Sequence, residues 1–301
     1  MNRRGFLKTL SAAGMCALAP AAAGAGEPSG EAEKEFHGVL IDTTRCIGCR
    51  TCEVACAEAN DLPVPDVSDE SVRDYERKTS DTQFAVVNFY DTEKGEISVK
   101  KQCMHCNQPA CASACLTKAM LKTPEGPVIW REDKCMGCRF CMISCPFDVP
   151  KFEYNSAIPR IRKCNMCWAR LQEGEKPACV EQCPGDALMF GTRSELLEEA
   201  RSRIYAAPDE YVHEIYGEHE VGGTGVLYLA AVPFSQLGFK TQLGTEAYPA
   251  LTTGFLYSVP IVLTLWPALL LGLSNASKSR DEEEHEAKKS DRGGTSYVIR
   301  D

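Results

Sequence analysis

The chain has 301 residues, 44% hydrophobic and 25% charged, which suits one or two globular domains with appendages. Its net charge of −9 argues against a nucleic-acid partner, which calls for a basic face. The anomaly is seventeen cysteines: Cys16 lies in a leader segment, and the other sixteen fall into four groups of four.

Residues 1–25 read as an export signal. Arg3-Arg4-Gly5-Phe6-Leu7-Lys8 precedes an apolar run from Leu10 to Ala23 and the small-residue site Ala23-Gly24-Ala25. The run is too short to span a bilayer, and the Arg3-Arg4 pair marks the twin-arginine route. That route carries folded proteins, which suits a chain whose metal sites are built before export. The segment contains three basic residues and no acid, so a processed chain is more acidic still.

Group one is Cys46-x2-Cys49-x2-Cys52-x3-Cys56, with Gly48 supplying a tight turn. Phe84 to Tyr90 and Glu96 to Lys100 then read as strands around the turn Asp91 to Gly95. Group two is Cys103-x2-Cys106-x4-Cys111-x3-Cys115, with Pro109 in its longer gap. Ala119 to Thr123 and Val128 to Trp130 flank Pro124-Glu125-Gly126-Pro127 as a second hairpin. Group three, Cys135-x2-Cys138-x2-Cys141-x3-Cys145-Pro146, turns at Gly137 and is the bacterial ferredoxin run. Group four is Cys164-x2-Cys167-x11-Cys179-x3-Cys183, followed by Pro184. Every group ends C-x-x-x-C, one helical turn that points two sulfurs along one face towards two different clusters.

Thr192-x-x-Glu195 is a capping box that opens an amphipathic helix to about Ala206. Residues 207–247 read as a linker, in which Tyr211 to Phe239, with Gly222-Gly223-x-Gly225, is the stretch expected to pack on a partner. Ala247 to Ser277 carries no charge, and its centre, Leu251 to Leu273, spans roughly 35 Å as a helix. Tyr257 and Trp266 are aromatic anchors, and Pro260 and Pro267 lie inside the segment. Prolines in a membrane helix are tolerated where neighbours satisfy the freed backbone groups, which hints at a membrane partner. Lys278 and Arg280 place the C-terminus in the cytoplasm, with the body on the far side. The charged tail, residues 278–301, is expected to be disordered.

Three chemistries compete for sixteen cysteines. Disulfides suit an exported chain with an even count, but cysteines three apart on one turn are badly placed for several bridges at once. Zinc ribbons use separate C-x2-C pairs, and the third cysteine of groups one and three has no place in them. Iron–sulfur clusters account for the triplets, the fourth member and the prolines together. Units this small bury little apolar core, so bound clusters must contribute much of the folding free energy.

Arg131 to Arg170 contains eight basic residues and four acids, a basic belt on an acidic chain. It includes Arg139 and Lys163, whose charge would ease reduction of anionic clusters, or would face a partner. His105 reads as a packing or hydrogen-bonding residue rather than a ligand, and Trp168 as a solvent shield. No G-x-G-x-x-G, G-K-[ST] or paired-acid constellation appears. The chain therefore reads as an electron-transfer subunit, not an enzyme.

With these motifs in view, the chain resembles the four-cluster ferredoxin-like subunits of periplasmic oxidoreductases, among them the iron–sulfur subunits of dimethyl sulfoxide reductase, formate dehydrogenase, polysulfide reductase and formate-dependent nitrite reductase. It is most similar to the membrane-anchored type found with hydrogenase-2 (HybA-like). Lys100 to Cys106 (K-K-Q-C-M-H-C), Gly137 to Met142 (G-C-R-x-C-M) and Gly191 to Leu196 (G-T-R-x-E-L) carry the likeness, which covers roughly residues 36–275.

The resemblance implies an α+β fold: residues 36–206 form two pseudo-symmetric ferredoxin-like halves, groups one and four in one and groups two and three in the other, with a transmembrane helix at 251–273. It also implies four 4Fe–4S clusters held crosswise. Set A is Cys46, Cys49, Cys52 and Cys183; set B is Cys56, Cys164, Cys167 and Cys179. Set C is Cys103, Cys106, Cys111 and Cys145; set D is Cys115, Cys135, Cys138 and Cys141. Leu116 departs from the proline expected after Cys115 and puts the local backbone in question. The implied role is a relay between a periplasmic catalytic subunit, of hydrogenase type or alternatively of molybdopterin or cytochrome type, and a multi-helix quinone-reactive membrane subunit. The protein would sit on the periplasmic face of the bacterial inner membrane. A cluster-stabilised structural adaptor is the reading from a different class.

Overall fold

A computed structural model describes residues 35–292. The expected leader, with Arg3 and Arg4, and the last nine residues of the tail lie outside the described residues.

The first strand, β1 (His37–Asp42), is buried along almost its whole length, because it is the middle of a three-stranded sheet. β8 (Leu188–Thr192) runs antiparallel on one side of it and β9 (Val226–Leu229) parallel on the other. A strand covered on both faces reads as a continuous apolar run, as Gly38-Val39-Leu40-Ile41 does. One face packs on α6 (Arg193–Ala206) through Leu40, Leu196, Leu197, Ala200, Leu227 and Leu229. The other face carries Val39, Ile41, Val226 and Tyr228 against Tyr216 and Phe234, with Phe239 at its edge.

Three hairpins link the cysteine groups. β2 (Val86–Thr92) and β3 (Gly95–Lys101) connect groups one and two. β4 (Met120–Lys122) and β5 (Val128–Trp130) connect groups two and three. β6 (Lys151–Phe152) and β7 (Ile161–Arg162) connect groups three and four. The helices of this region are short: α1 (Thr51–Glu58), α2 (Ala110–Ser113), α3 (Phe140–Ile143), α4 (Trp168–Gln172) and α5 (Ala178–Glu181). α1 packs on α5, and α2 on α3. The capping box falls at Thr192 as expected, and the first strand pair forms with its first strand two residues further on, so that Asp91, Thr92 and Gly95 are paired in the ladder and not in the turn. Thr192 N–H donates to Glu195 Oε2 at 3.0 Å, and Glu195 N–H donates back to Thr192 Oγ1 at 3.4 Å.

Two expectations are corrected. Residues 207–247 are not a linker: they supply β9 and a buried aromatic cluster, so they are part of the core. Their apolar run has to be covered, and glycines let it approach closely. A Cβ on Gly38 would lie 2.3 Å from the Gly225 carbonyl oxygen, a distance no side chain tolerates. The tail is not disordered throughout either, because α7 (Tyr248–Arg292) continues through Lys278 to Arg292. Residues 280–289 are mostly strong helix formers, and Arg280 and Glu284 pair one turn apart.

α7 is long and apolar enough to cross a membrane. Pro260 and Pro267 lie within it, and Thr264 Oγ1 donates to the Pro260 carbonyl at 2.9 Å. Its apolar side chains are exposed, from Leu251 to Leu273. The helix starts beside α2, where Ala247 is seated against Gly222.

Candidate electron-transfer site

The C-x-x-C turns share one backbone solution. In each group the residue before the second cysteine is left-handed: Gly48 (φ 68°), His105 (φ 47°), Gly137 (φ 71°) and Met166 (φ 56°). Glycine adopts this conformation without strain, so groups one and three announce the turn and groups two and four conceal it. The third residue past the closing cysteine is also left-handed at Lys118, Asp148 and Asp186. The chain after Cys115 thus follows the same path as after Cys145 and Cys183, although Leu116 stands where the others have proline.

Mutual charge repulsion identifies which sulfurs face one another. Cys46 feels Cys183 and Cys49, and Cys52 feels Cys46. Cys56 feels Cys164, Cys179 and Cys167. Cys106 feels Cys103, Cys145 and Cys111, while Cys141 feels Cys115, Cys135 and Cys138. These neighbourhoods draw on the same four residues as sets A, B, C and D in turn. The sets also touch in sequence: Cys52 feels Cys179, Cys164 feels Cys103, and Cys111 feels Cys141. The apolar packing follows the same order. Cys56, Cys103 and Cys164 share one buried cluster with Leu62, Phe84 and Val149, and Cys111 and Cys141 share another with Met120, Val128 and Ile161.

Burial pushes the Cys111 and Cys164 thiols up to about 12 and Cys141 up to about 11, with the facing sulfurs adding to it. Cys115 goes the other way. Burial raises it, but the backbone N–H groups of Met120, Ala119 and Thr117 and the Thr117 hydroxyl together bring it below the ordinary value. Buried thiols crowded this closely cannot all ionise on their own, so four thiolates in one place require a positively charged core between them. All sixteen are free, without a disulfide. Among the described residues no three His, Cys, Asp or Glu side chains close on a single-ion site. Cys46, Cys49, Cys52 and Cys183 line one cavity, and four thiols around a common space are the donor set that a 4Fe–4S cage takes.

The basic belt resolves into individuals. Arg160 pairs with Glu132, Lys151 with Asp148, and Arg170 with Glu175 and Glu181 at the surface, and Arg162 pairs with Glu153 at a half-buried site. Arg139 is exposed and lies over the rings of Phe152 and Tyr154. Lys163 alone turns inward: it is buried, its Nζ lies 3.9 Å from Cys103 Sγ, and it donates to the Cys164 carbonyl at 2.8 Å and to that of Val128.

His105 is fully buried. Its Nδ1 accepts from the Val128 N–H at 2.9 Å. Burial, helped by Lys163, Lys122 and Lys100, holds it well below the usual histidine range and therefore neutral. Trp168 is half-buried at the start of α4.

Two inward-facing features escape a reading of the sequence. One is Lys100, buried on β3. The other is the Glu53 carboxylate on α1, which accepts from Arg50, Arg77 and the Val87 N–H. Each looks like ordinary polar surface in the sequence.

Residues 96–193 match the family described as 4Fe-4S dicluster domain. Hydrogenase-2 operon protein HybA of Escherichia coli O157:H7 is 36% identical over 321 residues, covering 95% of this chain and 97% of that protein. A protein of Nitratidesulfovibrio vulgaris is 46% identical over 301 residues, covering 96% of this chain and 81% of the relative. The iron-sulfur subunit of nitrate-inducible formate dehydrogenase of Escherichia coli K12 is 37% identical over 197 residues, covering 63% of this chain and 66% of that subunit.

Proposed function

This chain belongs to the family of iron–sulfur electron-transfer subunits that includes hydrogenase-2 operon protein HybA, and from that premise we propose that sets A to D hold four 4Fe–4S clusters in a row between two partner subunits. When bound, each cluster supplies a store for one electron within four thiolates. The chain's own residues set the row's order and wall it from water.

The exposure of the cysteines carries this reading. Those of sets B and C are buried or half-buried, whereas sets A and D each present one exposed cysteine, Cys49 and Cys138. A row with covered middle and open ends has two docking points. At one end Ile47 stands exposed beside set A; at the other, Leu116, Met136, Phe140 and Ile143 do so around set D. Apolar side chains grouped at a site and left in solvent mark a surface that a partner covers.

α7 starts beside α2, which packs on the set D helix α3. We assign the set D end to a quinone-reactive membrane subunit and the set A end to a catalytic subunit of hydrogenase type. Conversion of substrate belongs to that partner and not to this chain. The likeness to the formate dehydrogenase subunit makes a dehydrogenase or reductase of that kind the second reading for the partner. The Arg3-Arg4 leader and the basic Lys278 and Arg280 support a periplasmic body with a cytoplasmic C-terminus. Deleting residues 248–301 is expected to move the protein from the membrane fraction to the soluble fraction with its iron retained; continued membrane binding would refute α7 as the anchor.

The decisive test is anaerobic isolation of the native complex, with identification of its large subunit, iron analysis and low-temperature electron paramagnetic resonance. About sixteen irons per chain are expected for four clusters, all reducible by the catalytic partner's substrate. Zinc or cystine in their place refutes the proposal.

Lys163 separates from the rest of the belt in a redox titration. Lys163→Met should lower the midpoint potential of clusters beside Cys103 and Cys164, while Arg139→Gln, at an exposed site, leaves all potentials near their starting values. Equal shifts in both variants would show that the belt acts as a diffuse surface charge.

A further inference from the structure

Among the described residues, Val221 is the one β-branched side chain in the left-handed region (φ 50°, ψ 34°). For such a side chain this is a true outlier, kept only where the surroundings dictate it. It is buried, and Gly217 (φ 99°), Gly222 (φ 84°) and Gly223 (φ 82°) turn the chain on either side of it. Neighbouring elements fix this loop closely. Arg193 on α6 donates to the Glu218 carbonyl at 2.8 Å and to the Thr224 carbonyl at 2.9 Å. Asn107, next to Cys106, donates its N–H to the Gly223 carbonyl at 3.0 Å and its side-chain amide to the Gly222 carbonyl at 3.2 Å. The Gly225 N–H is shared between the carbonyls of Met104 and His105, at 3.1 Å each, inside the group-two turn.

The remaining side of the loop meets the root of α7. The Val221 N–H donates to the Gly244 carbonyl at 3.0 Å. A Cβ on Gly222 would stand 2.8 Å from Ala247 Cβ and 3.1 Å from Ala247 N, so the chain just ahead of Tyr248 lies flat on a bare glycine. Ala247 is buried there, whereas residues 244–246 before it are exposed. One loop thereby joins the turn between Cys103 and Cys106 to the first turn of the apolar helix. α2, which carries Cys111, lies beside the start of α7 as well.

We propose that residues 221–223 are a clasp, which locks the root of α7 to the group-two turn and so sets the height and tilt of the set D face over its membrane partner. Val221 and Gly222 are positioning residues for electron exit; they touch neither a cluster nor the acceptor. The inference rests on the assignment of the set D end to a quinone-reactive membrane subunit. At that end a reduced cluster is oxidised by one electron as an acceptor in the partner is reduced, and no bond changes in this chain. A misplacement of about 1 Å can slow a positioned reaction about a hundredfold, and a helix free to swing at its root leaves the set D face without a fixed height. The left-handed turn at Val221 aims its N–H at Gly244 while the next two carbonyls meet Asn107. Electron entry at the set A end does not pass through this loop, so it is independent of the clasp.

The test uses the intact complex in phosphatidylcholine vesicles, carrying Gly222→Ala or Ala247→Leu. The clusters are reduced with dithionite, freed of it, and mixed either with ferricyanide, which reaches them from water, or with a long-chain naphthoquinone that enters the bilayer. Gly222→Ala drives a methyl group against Ala247, and Ala247→Leu drives the same wedge from the helix side. Both should slow oxidation by the naphthoquinone about tenfold or more. Iron content, membrane attachment, midpoint potentials and the ferricyanide rate stay at the unaltered level. Gly222→Ala combined with Ala247→Gly, which removes the colliding methyl, should recover part of the loss. Should Gly222→Ala fail to assemble, Ala247→Leu, outside the cysteine-bearing residues, decides the matter. Full iron with an unaltered naphthoquinone rate in Ala247→Leu, or equal slowing by both oxidants, overturns the proposal. Loss of iron in both variants overturns it as well, because the loop would then serve folding and not exit. Unaltered complex that the naphthoquinone fails to oxidise would instead sink the assignment of the set D end beneath it.

Discussion

Anaerobic removal of iron should abolish the tertiary structure of residues 103–183 while leaving the sheet β8-β1-β9 and α6 partly folded. In the cluster region the cysteines themselves form the core. Cys56, Cys103 and Cys164 are three of eight buried residues in one cluster, and Cys111 and Cys141 two of five in another. The elements around them are too short to stand alone: α2, α3 and α5 have four residues each, and β6 and β7 have two. Structural metals contribute on the order of 10 kcal/mol per site, against a total stability of about 5–15 kcal/mol for a typical protein. Losing several such sites exceeds anything the remaining contacts can offset.

The cluster of Leu40, Leu196, Leu197, Ala200, Tyr211, Ile215, Leu227 and Leu229 contains no cysteine, so its packing survives the loss. Amide hydrogen exchange on the stripped protein should show protection confined to β1, β8, β9 and α6. Limited proteolysis should cut first between residues 103 and 183. An iron-free protein that unfolds in the same cooperative transition as the loaded one would refute a metal-built core.

What could be read in advance was local. The cysteine spacings, the hairpin around Asp91 to Gly95, the capping box at Thr192 and the apolar span at 251–273 each depend on residues near one another in the chain. The missed features are long-range. β9 pairs with β1 across nearly 190 positions, and no local pattern distinguishes such a strand from a connector rich in glycine. His105 and Met166 take the left-handed position that glycine holds at 48 and 137. Alignment of the four C-x-x-C turns on one another was the one signal for them. Lys100 looked like the polar end of a hairpin strand, because sequence carries no sign of the anionic sulfurs that make its burial tolerable. The belt from Arg131 to Arg170 misleads for the opposite reason: counting charges ignores that half of its basic residues are ion-paired and one points inward.

Replacing Glu53 by alanine should be among the most damaging changes outside the cysteines. Glu53 lies on α1 between Cys52 and Cys56, with its side chain 1% exposed. Its Oε2 accepts from Arg50 Nε at 3.3 Å, from Arg50 Nη2 at 3.2 Å and from Arg77 Nη1 at 3.2 Å. Its Oε1 accepts from Arg77 Nη2 and from the Val87 N–H, both at 2.5 Å. One carboxylate thereby ties the cysteine-bearing helix to β2, and Arg50 extends the tie to the carbonyls of Asp66 and Asp69.

Surface ion pairs contribute about 0–1 kcal/mol, but removing one partner of a buried pair costs about 3–5 kcal/mol because the other charge is left without compensation. Here two guanidinium groups and a buried N–H lose their acceptor at once. The guanidinium concentration at which the visible cluster absorbance is half lost should therefore fall by about 1 M in Glu53→Ala. Glu53→Gln keeps an acceptor and falls less. Removing the stranded charge as well, in Glu53→Ala with Arg77→Met, should recover part of the loss, a coupling that a double-mutant cycle reads directly. A Glu53→Ala midpoint indistinguishable from that of the unaltered protein would mean that the network orders α1 without stabilising it.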